Sequence, residues 1–465
     1  MKKIVPIISF LFLIASCNKS FLNLTPPSAP TEDAFYKTAA DAVTAVNACY
    51  SGLRSGYNDV FERLMEYRAD NVIDLDASSS SGVNYKIAHF IEDAGNSQLY
   101  ATWVNVFNNV YQCNTLLSKI DAINMDNGLK TRIKAEARFL RGLDYFNLVR
   151  LWGPVPVDTT LLTLDSAYKL KRADVTTVYA LIESDLNFAS ANLPASYSGV
   201  DIGRATSGAA NGLLGKVYLY EKKYTQANTA LQSVINANTF QLLPNIADVF
   251  GSTNKYNAEI LFAVRYKSGT INQNHNYWYS ASGFPTIDPS IQNAYTVGDS
   301  RKTLTDAILI AGTTNNTAPR KFADAPDASQ MSGADFPVLR YADIFLMQAE
   351  VLNELSYNPS TTQGTAFYYL DSVRSRASLP KLSAADLPDQ ASFRQEIYKQ
   401  RRLELPFECD RWFDLVRTGQ AIAAIKADTA KGNLTIHPFQ FIYAIPQQEI
   451  DIMNNKTTFG QNPGY

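Results

Sequence analysis

Leu214-Gly215-Lys216-Val217-Tyr218, followed by Ala227 and then by Leu231, is the stretch on which the fold of this chain turns. Across residues 207 to 235 the apolar and small side chains keep helical spacing on both sides of a polar break, the pattern of two antiparallel helices. Glycine and alanine stand where such helices touch, because the side chains at the contact set how closely two helix axes approach. The spacing of the first helix returns more weakly at Gly142/Tyr145, at Ala349/Leu352 and around Glu396 to Leu405. Partner helices are expected over 174 to 193, Gly364 to Ala377 and 406 to 424.

Leu-Gly-x2-Tyr, then Ala and a large apolar residue four positions on, matches the tetratricopeptide pattern, with Asn211 in place of the leading Trp. The sequence therefore predicts a mainly α fold of about four degenerate tetratricopeptide-like helical repeats, with long irregular loop insertions and minor β structure. Further helices are expected from Asp41 to Leu53, from Trp103 to Ile120 and from Arg132 to Trp152, the last stopped by Trp152-Gly153-Pro154-Val155-Pro156. Asp174 is placed to cap the helix that follows. Periodicity fails between Arg68 and Leu99, where Ser78-Ser79-Ser80-Ser81-Gly82 reads as loop, and again from about 240 to 338.

Arg401-Arg402-Leu403-Glu404-Leu405-Pro406-Phe407-Glu408-Cys409-Asp410-Arg411-Trp412-Phe413-Asp414-Leu415-Val416-Arg417 carries an apolar stripe and a charge ladder in one segment. The charges recur every three or four residues, the separation at which opposite signs meet on a helix. Pro406 cannot sit inside a helix without cost, so two helices are expected, with Pro406 opening the second. The carboxylates Glu404 and Glu408 read as members of an ion-paired frame rather than as an acid/base pair.

Bulk composition narrows the function. Hydrophobic residues make up 46% and charged residues 18%, the balance of a chain with a large core. Net charge is −2, and −4 once Lys2 and Lys3 leave with a signal peptide, which provides no electrostatic footprint for nucleic acid. Met1-Lys2-Lys3, an apolar run from Ile4 to Ala15 and then Ser16-Cys17 form a charged start, a short hydrophobic core and a small-residue cleavage site. The run of about 11 residues is too short for a bilayer span, which needs about 20. Ile14-Ala15-Ser16-Cys17 resembles a bacterial lipobox, so Cys17 is expected to carry lipid and anchor the chain to a membrane. The boundaries read as a lipoprotein signal peptide over 1–16 and a tether over 17–30. A single domain follows over 31–465, divided into an N-terminal half (about 31–235), a loop-rich insertion (about 240–338) and a C-terminal helical part with its tail (about 339–465). Cys49, Cys113 and Cys409 are an odd set, expected as buried thiols. His89, His275 and His437 are too scattered to suggest a metal or nucleophile site, and no metal and no cofactor is expected.

Arg401-Arg402, Glu404-Leu405, Phe407-Glu408, Arg411-Trp412, Asp414-Leu415 and Arg417-Thr418-Gly419 together resemble the C-terminal signature of the SusD/RagB family, with Pro406 as a departure and Cys409 where that family usually has Gly. Phe21-Leu22-Asn23, Ala34-Phe35-Tyr36, Asp41-Ala42 and Tyr50-Ser51-Gly52-Leu53 resemble its opening. Tyr443-Ala444-Ile445-Pro446, Glu449-Ile450 and Gln461-Asn462-Pro463-Gly464-Tyr465 resemble its close. The resemblance spans nearly the whole chain. It implies a surface-exposed outer-membrane lipoprotein of the Bacteroidetes type, with no enzymatic activity, that binds glycans. It further implies a SusC-like TonB-dependent transporter as partner, over which such a protein closes like a lid. Capture of peptides or other nutrients in the same type of complex is the alternative. A surface glycoside hydrolase is a further one, and it would need two carboxylates roughly 5 to 9.5 Å apart across a scissile bond.

Ligand residues follow from residue chemistry and loop context alone, because the family shares no ligand motif. Tyr277-Trp278-Tyr279 lies among amides in Asn272 to Asn276, downstream of Tyr266, and Asn84-Tyr85 closes the Ser-rich stretch. Aromatic faces stack on the apolar faces of sugar rings while amides bond the hydroxyls. Asn84, Tyr85, Tyr277, Trp278 and Tyr279 are therefore the candidate ligand-binding residues.

Overall fold

The computed structural model describes residues 35–58, 60–74, 77, 82–269, 286–309, 317–322, 332–455 and 457–465. Cys17, the signal and tether, and Tyr277, Trp278 and Tyr279 lie outside the described residues. Nine long helices carry the architecture described here: α1 (Ala39–Gly56), α2 (Ser97–Lys119), α3 (Asn127–Trp152), α4 (Val175–Asn192), α5 (Ser207–Tyr220), α6 (Tyr224–Asn236), α7 (Tyr341–Leu355), α8 (Ala366–Arg376) and α9 (Gln390–Glu404). Among the described residues, no helix is long and apolar enough to cross a membrane.

Local sequence sets the ends of these helices. Thr38 and Asp41 form a capping box at the start of α1, and Asp389 with Ser392 forms another at α9. Asp174 accepts a hydrogen bond from the Thr177 amide at 2.7 Å, the cap expected for α4. Gly153, at φ +69°, ends α3, a conformation that suits a residue without a Cβ.

Each helix packs on the next, so α1 lies on α2, α2 on α3, and α3 on α4 through α6 to α7, with α8 and α9 against α7. Close approach follows the small residues. A Cβ added at Gly142 would stand 3.2 Å from Leu186 of α4, and one at Gly215 would meet Leu231 of α6 at 2.6 Å. Most of the buried apolar side chains join one continuous core, from Ala42 on α1 to Phe459 near the C-terminus. Cys49, Cys113 and Cys409 are buried free thiols.

Strand is confined to two-stranded pairings among the described residues. Ile260–Val264 pairs antiparallel with Phe336–Arg340, which draws the two ends of the loop-rich insertion together beside α5 and α7.

Two local expectations need correction. Pro406 does not open a helix: α9 ends at Glu404, residues 405–410 turn, and the next helix is Arg411–Arg417. Phe407 and Cys409 hold φ of +66° and +65° there, the left-handed region in which a Cβ is strained, which is the physical reason for glycine at the position of Cys409 in the resembled pattern. Residues 83–88 are also not loop. Val83–Ala88 is a short helix, and both Asn84 and Tyr85 stand on it.

Candidate functional site

Two segments far apart in sequence converge here. Val72–Ile73 pairs antiparallel with Thr286–Ile287, in the register Val72↔Ile287 and Ile73↔Thr286. The ladder continues as the Asp288 amide donates to the Asn71 carbonyl at 2.9 Å. Asp288 then caps the helix Pro289–Ala294 through the Ser290 amide, and the Ser290 hydroxyl donates to the Asp70 carbonyl at 3.1 Å. The irregular 68–99 stretch and the C-terminal flank of residues 270–285 are thus joined edge to edge.

On the first of these segments, Tyr85 and His89 stack with ring centroids 3.8 Å apart and planes 23° from parallel. His89 Nδ1 lies 2.9 Å from the Tyr85 carbonyl oxygen, one helical turn back. Both side chains are half-buried, so the pair presents aromatic surface while fixed in place. Asn84 is buried, and among the described residues its Oδ1 has no hydrogen-bond partner. The structure therefore places Tyr85 in a stacked pair and Asn84 beneath the surface on the same short helix. His89 was missed in the sequence, although its four-residue spacing from Tyr85 is the spacing of neighbours on one helix face.

Both arms rest on the C-terminal signature. Arg402 donates to the Asp70 carbonyl at 2.6 Å, to Asn71 Oδ1 at 3.1 Å and to Ser290 Oγ at 2.8 Å, clamping the strand pair from one side. Arg411 grips the Asp70 carboxylate through two bonds of 2.7 and 2.8 Å. Burial alone would raise the Asp70 carboxyl, but Arg411 and Arg402 outweigh it and hold the group below the usual carboxylate range. Val72 packs in a satellite core with Ile291, Tyr295, Phe322, Leu403 and Phe407. Under the Tyr85 arm, Arg68 lies 3.4 Å from the Tyr443 ring centroid, pairs with Glu92 and donates to the Gln440 carbonyl at 2.6 Å. Gln440 returns a bond to the Phe90 carbonyl at 2.7 Å, and the Phe90 ring lies 5.4 Å from Trp412.

The charge ladder bonds mainly outward, with Arg417–Asp414 at 2.8 Å as a pair along its own helix. Glu404 meets Arg301, Arg340 and Arg376, while Glu408 meets Arg340 and Lys321. Arg401 joins Asp343 at 2.6 Å to Asp414 at 2.8 Å. Glu404 is held below its usual range because three arginines outweigh its burial. Every carboxylate of this ladder is thus tied to arginine or lysine, an arrangement that orders the frame and leaves no free acid/base pair within it.

Comparisons with known proteins bear on the family and the fold. A family model described as "SusD family" matches residues 264–465, and one described as "Starch-binding associating with outer membrane" matches residues 20–219. A SusD-like protein of Formosa agariphila is 27% identical, with 97% of each chain covered. A solved structure titled as a laminarin-binding SusD-like protein is 27% identical, covers 92% of this chain and 100% of its own, and superposes with a TM-score of 0.76. Surface glycan-binding protein A from Bacteroides thetaiotaomicron in complex with laminarihexaose shares the fold at 19% identity and a TM-score of 0.77, covering 92% of this chain and 100% of its own. The two family matches take in complementary halves of one continuous helical fold, and the chain belongs to the SusD/RagB family.

Proposed function

We propose that this chain is a glycan-binding protein of the cell surface, anchored in the outer membrane through lipid on Cys17, that passes its ligand to a SusC-like TonB-dependent transporter and closes over it as a lid. Residues 1–16 act as signal peptide and 17–30 as tether in this reading. The carrying observation is the Tyr85–His89 stack, held half-exposed on a segment whose neighbouring strand pairs with the flank of residues 270–285. A fixed, half-exposed aromatic face suits a pyranose ring. The laminarin named for one relative makes a neutral β-glucan the first ligand to try.

Affinity electrophoresis through gels containing laminarin and a panel of other glycans tests the binding step. Retardation by at least one glycan is expected, weakened about tenfold in Tyr85→Ala, as loss of one stacked contact of about 1.4 kcal/mol requires. Trp278→Ala tests the second segment in the same gels. Retardation unchanged in both variants would remove this surface from consideration, and release of shortened glycan by the purified protein would revive the hydrolase reading. The lid role requires a β-barrel partner; its absence from native protein isolated in mild detergent would end that part of the proposal.

A further inference from the structure

A second cleft is lined by none of the residues of the strand pair or the Tyr85 helix. It consists of two adjoining hollows that share Gly203, Arg204, Phe262 and Ala263 in their walls. The first, of about 180 Å³, is lined by the rings of Tyr197, Phe240, Phe250 and Tyr256 and by the amide of Asn254. Tyr197 Oη is buried there with no hydrogen-bond partner among the described residues. The one carboxylate in this lining, Asp335, is taken by Lys255 at 2.9 Å.

The second hollow, of about 350 Å³, is lined by Arg54, Arg204, Arg265 and Lys267 and by no Asp or Glu among the described residues. Arg204 is neutralised by Glu136 and Asp201. Arg54, Arg265 and Lys267 form no ion pair among the described residues: Arg54 donates to the Ser51 hydroxyl, and Arg265 donates to the Ile202 carbonyl at 2.6 Å with its guanidinium 4.6 Å from the Tyr256 ring centroid. Arg265 and Lys267 are exposed. Arg54, Arg265 and Lys267 thus share one concavity without a direct ion pair among the described residues, while Asp335 of the adjoining hollow acts on Arg265 through its field. Gly203, at φ +93°, makes the junction, since a Cβ there would stand 2.8 Å from Arg265 Cδ and 3.0 Å from Tyr256 Cε1.

We propose that this cleft binds an acidic saccharide, with a sugar ring against Tyr256 and its aromatic neighbours and a carboxylate or sulfate against Arg265, Arg54 and Lys267. Guanidinium groups suit both anions through paired N–H donors. The cleft shares no lining residue with the strand pair or the Tyr85 helix, and the proposal does not depend on the neutral-glycan reading.

Isothermal titration calorimetry on the full chain tests it with three probes: tri-galacturonate for the carboxylate, a sulfated galactose disaccharide for the sulfate, and laminarihexaose as the neutral control. Saturable binding of at least one acidic probe is expected, weakened about tenfold by Arg265→Gln and by Tyr256→Ala, weakened by added salt, and unchanged in Tyr85→Ala. Unchanged thermal unfolding of the variants shows that the fold is intact, and Arg54→Gln provides an independent loss of charge. The proposal is overturned if neither acidic probe titrates, if titration survives all three cleft variants, or if inorganic sulfate alone binds as tightly as the sulfated sugar. Loss of laminarihexaose binding in Tyr85→Ala would bear only on the other surface, so the two readings fail separately.

Discussion

At the residue scale, this fold runs on buried charges. Arg340 bonds Glu259, Glu404 and Glu408 at once, and Lys216 joins Asp343 to Asp410, all of them buried. Such pairs cost desolvation, and removing one partner typically costs about 3–5 kcal/mol because the other is left uncompensated. Glu66 is one buried carboxyl whose protonation reports on pH. Its Oε1 accepts the Cys409 amide at 2.6 Å, while Oε2 has no hydrogen-bond partner among the described residues. Burial raises its carboxyl to about 8 against the pull of the Cys409 amide. A carboxyl raised in the folded state holds its proton more tightly there than in the unfolded chain. Its stabilisation is therefore complete below the ordinary Glu pKa and is lost as pH rises through about 8. Glu66→Gln should flatten the fall in stability between pH 5 and 8 by up to about 1.4 kcal/mol per pH unit. Urea unfolding across that range measures it, and parallel slopes for the two proteins would refute the assignment.

At the element scale, helix pairs are set by where side chains are missing. Gly215 lets α5 settle on α6, with Leu231 filling the space a methyl group would need. Gly215→Ala should destabilise by about 1–3 kcal/mol through overpacking. Leu231→Ala in the same chain should recover part of that loss, because the methyl group added at 215 occupies part of the space that Leu231 vacates. A double-mutant cycle by chemical denaturation decides it, and strictly additive losses would show that the two side chains do not compete. This contact was legible in the Leu214-Gly215-x2-Tyr218 spacing, since helix periodicity and small residues are local properties. The turn at 405–410 was not, because φ at Phe407 and Cys409 is imposed by tertiary packing that local propensity does not report.

At the scale of the whole molecule, the C-terminal signature is the keystone between distant segments. Arg402 touches Asp70, Asn71 and Ser290 at once, and so ties both arms of the proposed glycan surface to α9. Arg402→Gln should speed hydrogen exchange at residues 71–73 and 286–291 while leaving α5 and α6 unchanged, and uniform protection across all four segments would show that the clamp does not order the site. The sequence by itself determined the helical class, most helix boundaries and the family, because periodicity, caps and a motif spread over both ends of the chain are written in neighbouring residues. Only the tertiary structure decided that Asn84 is buried, that His89 stacks on Tyr85, that the ladder of 401–417 bonds outward to Arg340, Asp343 and Asp70, and that Arg54, Arg204, Arg265 and Lys267 line one hollow. Those pairings join residues as many as 341 positions apart, and a charge at such a distance leaves no periodic trace in the sequence from which its partner could be read.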